Sequence, residues 1–419
     1  MGNTKKYRFN TEVIHACQSP EDWQGGTLPP IFQTASHVHR TAEDLSETFA
    51  GKRGDHIYMR LTNPTNKVLE EKLAHLEGGR GSIVMSSGMA AVSNATMALL
   101  RAGDEFVTGN SIFMSTYLLF TRVFRKYGIA VRMVESTDID AIEGAINDKT
   151  RFVYLETIGN PKMDIPDLEK MSSVAHAYGL PLLVDNTLAS PYLCRPFEAG
   201  ADIVVYSTTK YLSGHGNAMG GAVIDSGRFE WGEKRFSDFA PFIDRKGPLA
   251  YLDKVWREHH INFGTTQAPF HSYLTMIGLD TLALRMERHM ANAMTVARFL
   301  CERPEVKWIN YAGLDDHPSH GMAKKLFGGR GFGGLLAFGL RDQEACFRFI
   351  DRLRMICHLA NLGDCKTLVI HPASSQYVSF DDATREGLSI TPDLIRLSVG
   401  IEDVEDICDD LGQALEGLE

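Results

Sequence analysis

The chain has 419 residues, 23% of them charged and 44% apolar, which suits a globular protein long enough for two domains. Lys and Arg number 43 against 53 for Asp and Glu, and the formal net charge of -10 argues against general affinity for nucleic acid or anionic membranes. The polar start "MGNTKKYRFNTEVIHACQ" lacks the apolar core of a signal peptide, no stretch offers the ~18 apolar residues of a spanning helix, and the seven cysteines are scattered without a CxxC pair, so a cytoplasmic protein with reduced thiols is expected.

Residues 1–60 carry the turn signals "QGGTLPP" and "GKRGD" and read as an irregular arm that packs on something else. From there to about 230, short apolar runs alternate with helical stretches, the pattern of a mostly parallel sheet covered on both faces. The strand candidates are "SIVMSS", "EFVTG", "RFVYLET", "LPLLVDNT", "ADIVVYST" and "GGAVID". Between two of them, "PDLEKMSSVAHAYG" places Leu168, Met171, Val174 and Ala175 at helical spacing and stops at Gly179. After about 265 the pattern changes. A long helix is expected from Asp280 to about Cys301 and a second through "QEACFRFIDRLRMICHL", beside the strands "GGLLAFGL", "TLVIH" and "LIRLSVGI". The expected division is therefore a large α/β domain at 61–265 and a smaller α+β domain at 266–419.

In an open parallel sheet, ligands sit beyond the carboxyl ends of the strands, and three of those ends are loaded with polar groups. Ser86, Ser87 and Gly88 precede a helix starting near Met89, where free amides and the helix dipole can hold a phosphate; the alternative is a plain serine cap. Asp185, Asn186 and Thr187 end "LPLLVDNT", and a carboxylate there needs a cationic or N–H partner, or else serves as a cap. One βα step later, Ser207 and Thr209 offer hydroxyls and Lys210 an amine that can attack a carbonyl once desolvated, although a surface lysine is the simpler reading of any one Lys. Together the three groups suit pyridoxal phosphate, whose phosphate, ring nitrogen and aldehyde need a cradle, a carboxylate and a lysine.

The chain also resembles, along nearly its whole length, the Cys/Met metabolism enzymes that use pyridoxal phosphate. Its "YMRLTNPT" is similar to that family's Tyr-x-Arg-x-x-Asn-Pro-Thr element, "SSGMAA" to its phosphate loop, and "DNTLASPYLCRPFEAGADIVVYSTTKYLSGHG" to its cofactor-lysine signature. The resemblance implies an aspartate-aminotransferase-like, fold type I architecture. It implies that Lys210 holds the cofactor's aldehyde and that Asp185 faces the pyridine nitrogen. Ser87, Gly88, Met89, Ser207 and Thr209 would bind the phosphate, with Thr187 nearby, while Tyr58 and Arg60 would reach it from a neighbouring subunit. Asn160, Asn361 and Arg396 would orient the amino-acid substrate, Arg396 gripping its carboxylate. The arm at 1–60 would then cross to a partner, giving a homotetramer built as a dimer of active dimers.

Within that family, "HLANLGDCKTLVIHPAS" resembles the Asn-x-Gly-Asp form of the branch that replaces the acyl group of an O-acylated homoserine with sulfide or a small thiol. "GLDTLALRMERH" and "SGRFEWGEKRFSDFAP" also resemble that branch. A γ-lyase acting on methionine or homocysteine, and a γ-replacement like that of cystathionine γ-synthase, are the alternatives. Two departures stand out. The family's Tyr-Gly-Gly-Thr is Phe113, Met114, Ser115 and Thr116 here, so ring stacking survives and the phenol is lost. Its His-Pro-Ala-Ser-Thr-Thr-His is "HPASSQY", which puts the shape of the substrate pocket in question. His259, His260 and His271 lack a fitting third ligand, and no metal is expected. A non-catalytic nucleotide binder is disfavoured, since no G-x-G-x-x-G follows a strand and no Walker-type GK[ST] occurs.

Overall fold

The computed structural model describes residues 7–232 and 234–418. The first six residues of the expected arm, and Glu233 within "SGRFEWGEKRFSDFAP", lie outside the described residues. Twelve strands are described: β1 (Gly81–Met85), β2 (Glu105–Gly109), β3 (Ala130–Val134), β4 (Thr150–Glu156), β5 (Leu182–Asp185), β6 (Ile203–Tyr206), β7 (Gly221–Asp225), β8 (Trp308–Asn310), β9 (Leu335–Gly339), β10 (Cys357–His358), β11 (Leu368–Ile370) and β12 (Leu394–Ser398). Seven belong to a larger sheet and five to a smaller one. All nine strands expected from apolar runs are present. The chain folds into two compact units, Met1–Leu99 with Asp202–Ser213 and Asn217–Thr281, and Leu100–Ala201 with Gly214–Gly216 and Leu282–Glu419.

In the first unit, β7 lies between β1 and β6 and is antiparallel to both. Met85 pairs with Gly221 and Tyr206 with Ala222, so β1 and β6 both end beside the start of β7. That register gathers the chain after β1, the chain after β6 and Gly221 at one edge. The helix Pro64–Glu77 starts on Asn63, whose side chain accepts the N–H groups of Thr65 and Asn66, with Pro64 in the first turn. Trp231 stacks on Phe239 and Tyr251 at centroid separations of 4.6 and 5.2 Å. The arm is less irregular than its turn signals suggest, since Phe9–His15 and Ala42–Phe49 are helical, the latter capped by the Thr41 hydroxyl. It is nonetheless open: Val38 is 99% and Phe49 66% exposed.

In the second unit, β5, β4, β2 and β3 run parallel in that order. The apolar runs of β4 and β5 are buried almost throughout, the mark of central parallel strands. Strand β3 was not anticipated, because "AVRMV" is an edge strand with only partial burial and carries no continuous apolar run. The smaller sheet has the order β10-β11-β12-β9-β8. Ala293, Val296 and Leu300 of one helix, Phe349 of a second and Leu411 of a third close over Leu336, Phe338, Ile395 and Leu397 to form its core.

Two helices differ from expectation. The long one begins at Leu282; Asp280 instead ends a preceding helix, Pro269–Asp280, where its carboxylate meets the buried Lys72 ammonium at 2.9 Å. The second stops at Arg352, well before "MICHL". Asp410 intercepts the chain there, its carboxylate accepting the N–H groups of Arg354, Met355 and Ile356 at 2.9 Å each, after which Cys357 and His358 join the sheet as β10. Among the described residues no helix is long and apolar enough to cross a membrane.

Candidate functional site

The cradle in the first unit follows from the strand register. After β1 the chain reaches Ser87, whose hydroxyl accepts the Ala90 N–H at 3.1 Å and caps the helix Gly88–Met97. A Cβ on Gly88 would lie 2.6 Å from the Ser207 Cβ, and one on Gly221 only 2.1 Å from the Ser87 carbonyl oxygen. Both glycines are thus required by close approach: Gly88 lets Ser207 lie against the first turn of the helix, and Gly221 lets β7 lie against the Ser87–Gly88 backbone. Ser86, Ser87, Gly88 and Met89 keep partial exposure, so that turn is open to a ligand. Thr209 is fixed by the Gly220 N–H, which donates to its hydroxyl at 3.0 Å, and the Lys210 N–H donates to the Ser207 carbonyl at 3.2 Å. Ser87, Gly88, Met89, Ser207, Thr209 and Lys210 therefore come together as the sequence implied, and an anion fits them: a helix N-terminus, hydroxyls and glycines with no carboxylate among them.

Tyr58 and Arg60 are not part of this cradle. Arg60 lies over the Tyr58 ring at 5.6 Å and donates to the Ile261 carbonyl at 2.5 Å, and Tyr58 is 43% exposed.

The second unit holds the charged groups. Asp185, the last residue of β5, accepts the Thr187 N–H at 2.9 Å and the Tyr154 hydroxyl at 3.4 Å. Burial pushes its carboxyl above the usual range, so the site is short of positive charge, which a protonated pyridine nitrogen would supply. Glu156 sits directly opposite Asp185 in the β4–β5 register. Burial, and then the neighbouring Asp185 carboxylate, push Glu156 well above its ordinary range, while its Oε1 accepts the Phe113 N–H at 2.6 Å. Phe113 is held by its backbone at the N-terminus of the helix Met114–Leu118 and stays half-buried.

Arg396 in β12 is 3% exposed, which removes the reading of an exposed strand residue. Its Nη1 donates to the Asn160 side-chain oxygen at 3.2 Å, and its Nη2 to the backbone carbonyl of Asn361 at 3.3 Å. Asn160, Asn361 and Arg396 are therefore one cluster, with Asn361 contributing its main chain to the arginine.

Gly214 and Gly216 have φ of 72° and 63°, conformations that favour glycine. A Cβ there would meet the Arg285 guanidinium at 2.0 Å and the Asp364 carboxylate at 2.3 Å, so those side chains fill the space beside the turn. His259 and His260 are pushed by burial down to about 4, and His260 and His271 are committed to the Thr265 hydroxyl and the Met219 carbonyl. Sequence reasoning missed Tyr154, Glu156 and Tyr377. The signal for Glu156 was available: it ends the apolar run "RFVYLE" as Asp185 ends "LPLLVD".

Comparison with known proteins bears on the whole chain. Residues 10–416 match the family described as Cys/Met metabolism PLP-dependent enzyme. The chain is 37% identical to the O-acetyl-L-homoserine sulfhydrylase of Leptospira meyeri, covering 99% of this chain and 98% of that one. It is 39% identical to the homocysteine synthase of Schizosaccharomyces pombe over 97% and 98%. Among solved structures, a Campylobacter jejuni protein described as a putative O-acetylhomoserine (thiol)-lyase, holding N'-pyridoxyl-lysine-5'-monophosphate, superposes with a TM-score of 0.94 at 33% identity over 98% of this chain and all of that one.

Proposed function

From the premise that the chain belongs to the Cys/Met metabolism enzymes that depend on pyridoxal phosphate, we propose that it replaces the acyl group of an O-acylated homoserine, O-acetyl-L-homoserine foremost, with sulfide or a small thiol. The products are homocysteine with sulfide, and methionine or a related thioether amino acid with a thiol. The observation that carries this choice within the family is likeness over at least 97% of the chain to relatives named O-acetyl-L-homoserine sulfhydrylase and homocysteine synthase.

When bound, pyridoxal phosphate supplies an aldehyde that takes an amine and a protonated ring that draws electrons from the neighbouring carbon. Ser87, Gly88, Met89, Ser207 and Thr209 hold its phosphate, with Thr187 bracing Asp185 through the bond already described. Asp185 keeps the proton on the ring nitrogen. Phe113 stacks on the ring. Lys210 would hold the aldehyde, and its amine, when free, would move protons at Cα and Cβ of the substrate. With no phenol at position 113, most of that proton traffic falls to Lys210. Arg396, placed by Asn160 and Asn361, grips the substrate carboxylate. Tyr58 and Arg60, outside the cradle of their own chain, complete the phosphate site of a neighbouring copy, which makes a dimer the smallest active unit and a homotetramer the expected assembly, at work in the cytoplasm.

The test is a product assay by mass. O-acetyl-L-homoserine with sulfide gives homocysteine and acetate. If methionine alone gives 2-oxobutanoate and the acyl ester with sulfide gives nothing, the protein is a γ-lyase; if only O-succinyl-homoserine with cysteine reacts, it is of the cystathionine γ-synthase type.

A further inference from the structure

We propose that the Tyr377 hydroxyl is a second anchor for the carboxylate of the amino-acid substrate, donating a hydrogen bond beside those of Arg396. The proposal rests on the reading that Arg396 receives that carboxylate.

Its first support is placement. Ile370, the last residue of β11, pairs directly with Arg396 in β12, and the chain leaves β11 into "HPASSQY". That turn is fixed by its own hydrogen bonds. The His371 ring binds the Ser374 hydroxyl at 2.7 Å and the Pro392 carbonyl at 2.8 Å, the Ser375 hydroxyl donates to the His371 carbonyl at 2.6 Å, and the Tyr377 N–H donates to the Pro372 carbonyl at 3.0 Å. The departure from the family's histidine-ended motif therefore sets a tyrosine, on a rigid turn, close along the chain to the strand position opposite Arg396.

The second support is the division between ring and hydroxyl. The ring is buried, with the residue only 3% exposed, tilted on Phe380 at 5.3 Å in a cluster with Ala373 and Ile390 against which Met114 and Tyr117 pack. Buried phenols normally find a hydrogen-bond partner. Among the described residues the Tyr377 hydroxyl has none, and yet its oxygen is not among the sealed, unpartnered atoms of the chain. An anchored ring thus presents an uncommitted O–H to open space.

The third support is charge. Besides burial, the groups that act on this phenol are the Arg396 guanidinium, which favours ionisation, and Glu156, which opposes it. Burial dominates and holds the phenol well above its ordinary range, so it keeps its proton and acts as a donor. A donor in the field of a guanidinium is suited to sharing the same anion, and a hydrogen bond to a charged group typically changes affinity by about tenfold or more.

The test uses the holoenzyme and its Tyr377→Phe variant, which removes one oxygen and keeps the ring. L-norvaline, with an amine and a carboxylate but no leaving group, is titrated against the visible absorption of the cofactor, and L-norvaline amide in parallel. The expected result is about tenfold weaker binding of norvaline by the variant, equal binding of the amide by the two proteins, and a KM for O-acetyl-L-homoserine raised about tenfold with kcat within about twofold. Equal affinity for norvaline overturns the proposal. The same loss toward the amide, or an altered resting spectrum, marks a structural role and overturns it too. Failure of the wild-type protein to turn over the acyl ester with sulfide while binding norvaline strikes the proposed activity and leaves the anchor standing on its own titration.

Discussion

The polar groups of the first unit's cradle, apart from Lys210 itself, are hydroxyls and backbone amides, on Ser87, Gly88, Met89, Ser207 and Thr209, whereas the second unit gathers ionisable side chains in Asp185, Glu156, Tyr154 and Arg396. The difference follows from what each must control. A phosphate is already an anion and needs only fixed N–H and O–H donors, which a helix N-terminus supplies without a counter-charge that would have to be desolvated. A ring nitrogen needs its proton held, which a buried carboxylate can do, and a substrate carboxylate needs a counter-charge, which Arg396 can supply. On the proposed reading, the first unit would recognise its ligand with fixed neutral donors and the second with charged and titratable groups.

Lys210 is the one group that cuts across this contrast, and replacing it gives the largest effect. Lys210→Ala is expected to lower turnover by at least about 1000-fold and to abolish the absorption band of covalently held cofactor, while the cradle still binds free pyridoxal phosphate. A variant that kept the band and the activity would end the assignment of the lysine. Asp185→Asn comes next: kcat falls by roughly 100-fold or more, because an amide cannot keep the ring nitrogen protonated, while the affinity for pyridoxal phosphate changes far less. Gly88→Ala should show the reverse split. The added Cβ meets Ser207 at 2.6 Å, so the first turn shifts and cofactor affinity falls about tenfold, with kcat nearly kept once the cofactor is saturating. Equal effects of the two variants on affinity and on kcat would erase the proposed division.

Glu156 refines the second unit's side. Its carboxyl is pushed well above the usual range by burial and then by Asp185, and its Oε1 accepts the Phe113 N–H. Glu156→Gln preserves that acceptor and should cost less than about threefold in kcat, whereas Glu156→Ala leaves the buried N–H unpaired, loosens Phe113 and should cost about tenfold. If the glutamine variant is as impaired as the alanine one, the ionised carboxylate is what matters.

Much of this was legible in the sequence because strand ends are local signals. The apolar runs of β1, β5 and β6, each followed by polar residues, located the cradle, Asp185 and Lys210. What the chain could not announce were features made by register and by distant partners. The edge strand β3 has no continuous apolar run to give it away. The early stop at Arg352 depends on Asp410, far along the chain. Tyr377 reads as one more departure from a motif until the β11–β12 pairing sets its turn beside Arg396. Nor does the chain announce that Arg285 and Asp364 fill the space beside the positive-φ glycines Gly214 and Gly216.

The smallest predicted effect separates the first unit's titratable groups from its cradle. Asp225 ends β7 opposite Gly81, four residues and about 13 Å of strand beyond Gly221 at the cradle edge. Its Oδ1 accepts the Gly227 N–H at 2.8 Å, and its sealed Oδ2 has no partner among the described residues. Burial raises its carboxyl from 3.8 to about 7. The folded protein therefore holds this proton more tightly than the unfolded chain does. The stabilisation is complete at pH values below the unfolded carboxyl's range, shrinks as pH rises above it, and is lost by about pH 7, a loss on the order of a few kcal/mol. Asp225→Asn removes the titration and keeps an acceptor for Gly227. Its thermal midpoint should match the wild type's near pH 3, exceed it modestly near pH 5 and exceed it most near pH 8, with cofactor affinity unchanged near pH 8. Parallel midpoint curves would show that Asp225 does not titrate in this window; a change in cofactor affinity would show that the cradle is not insulated from the charge at the far end of its own strand.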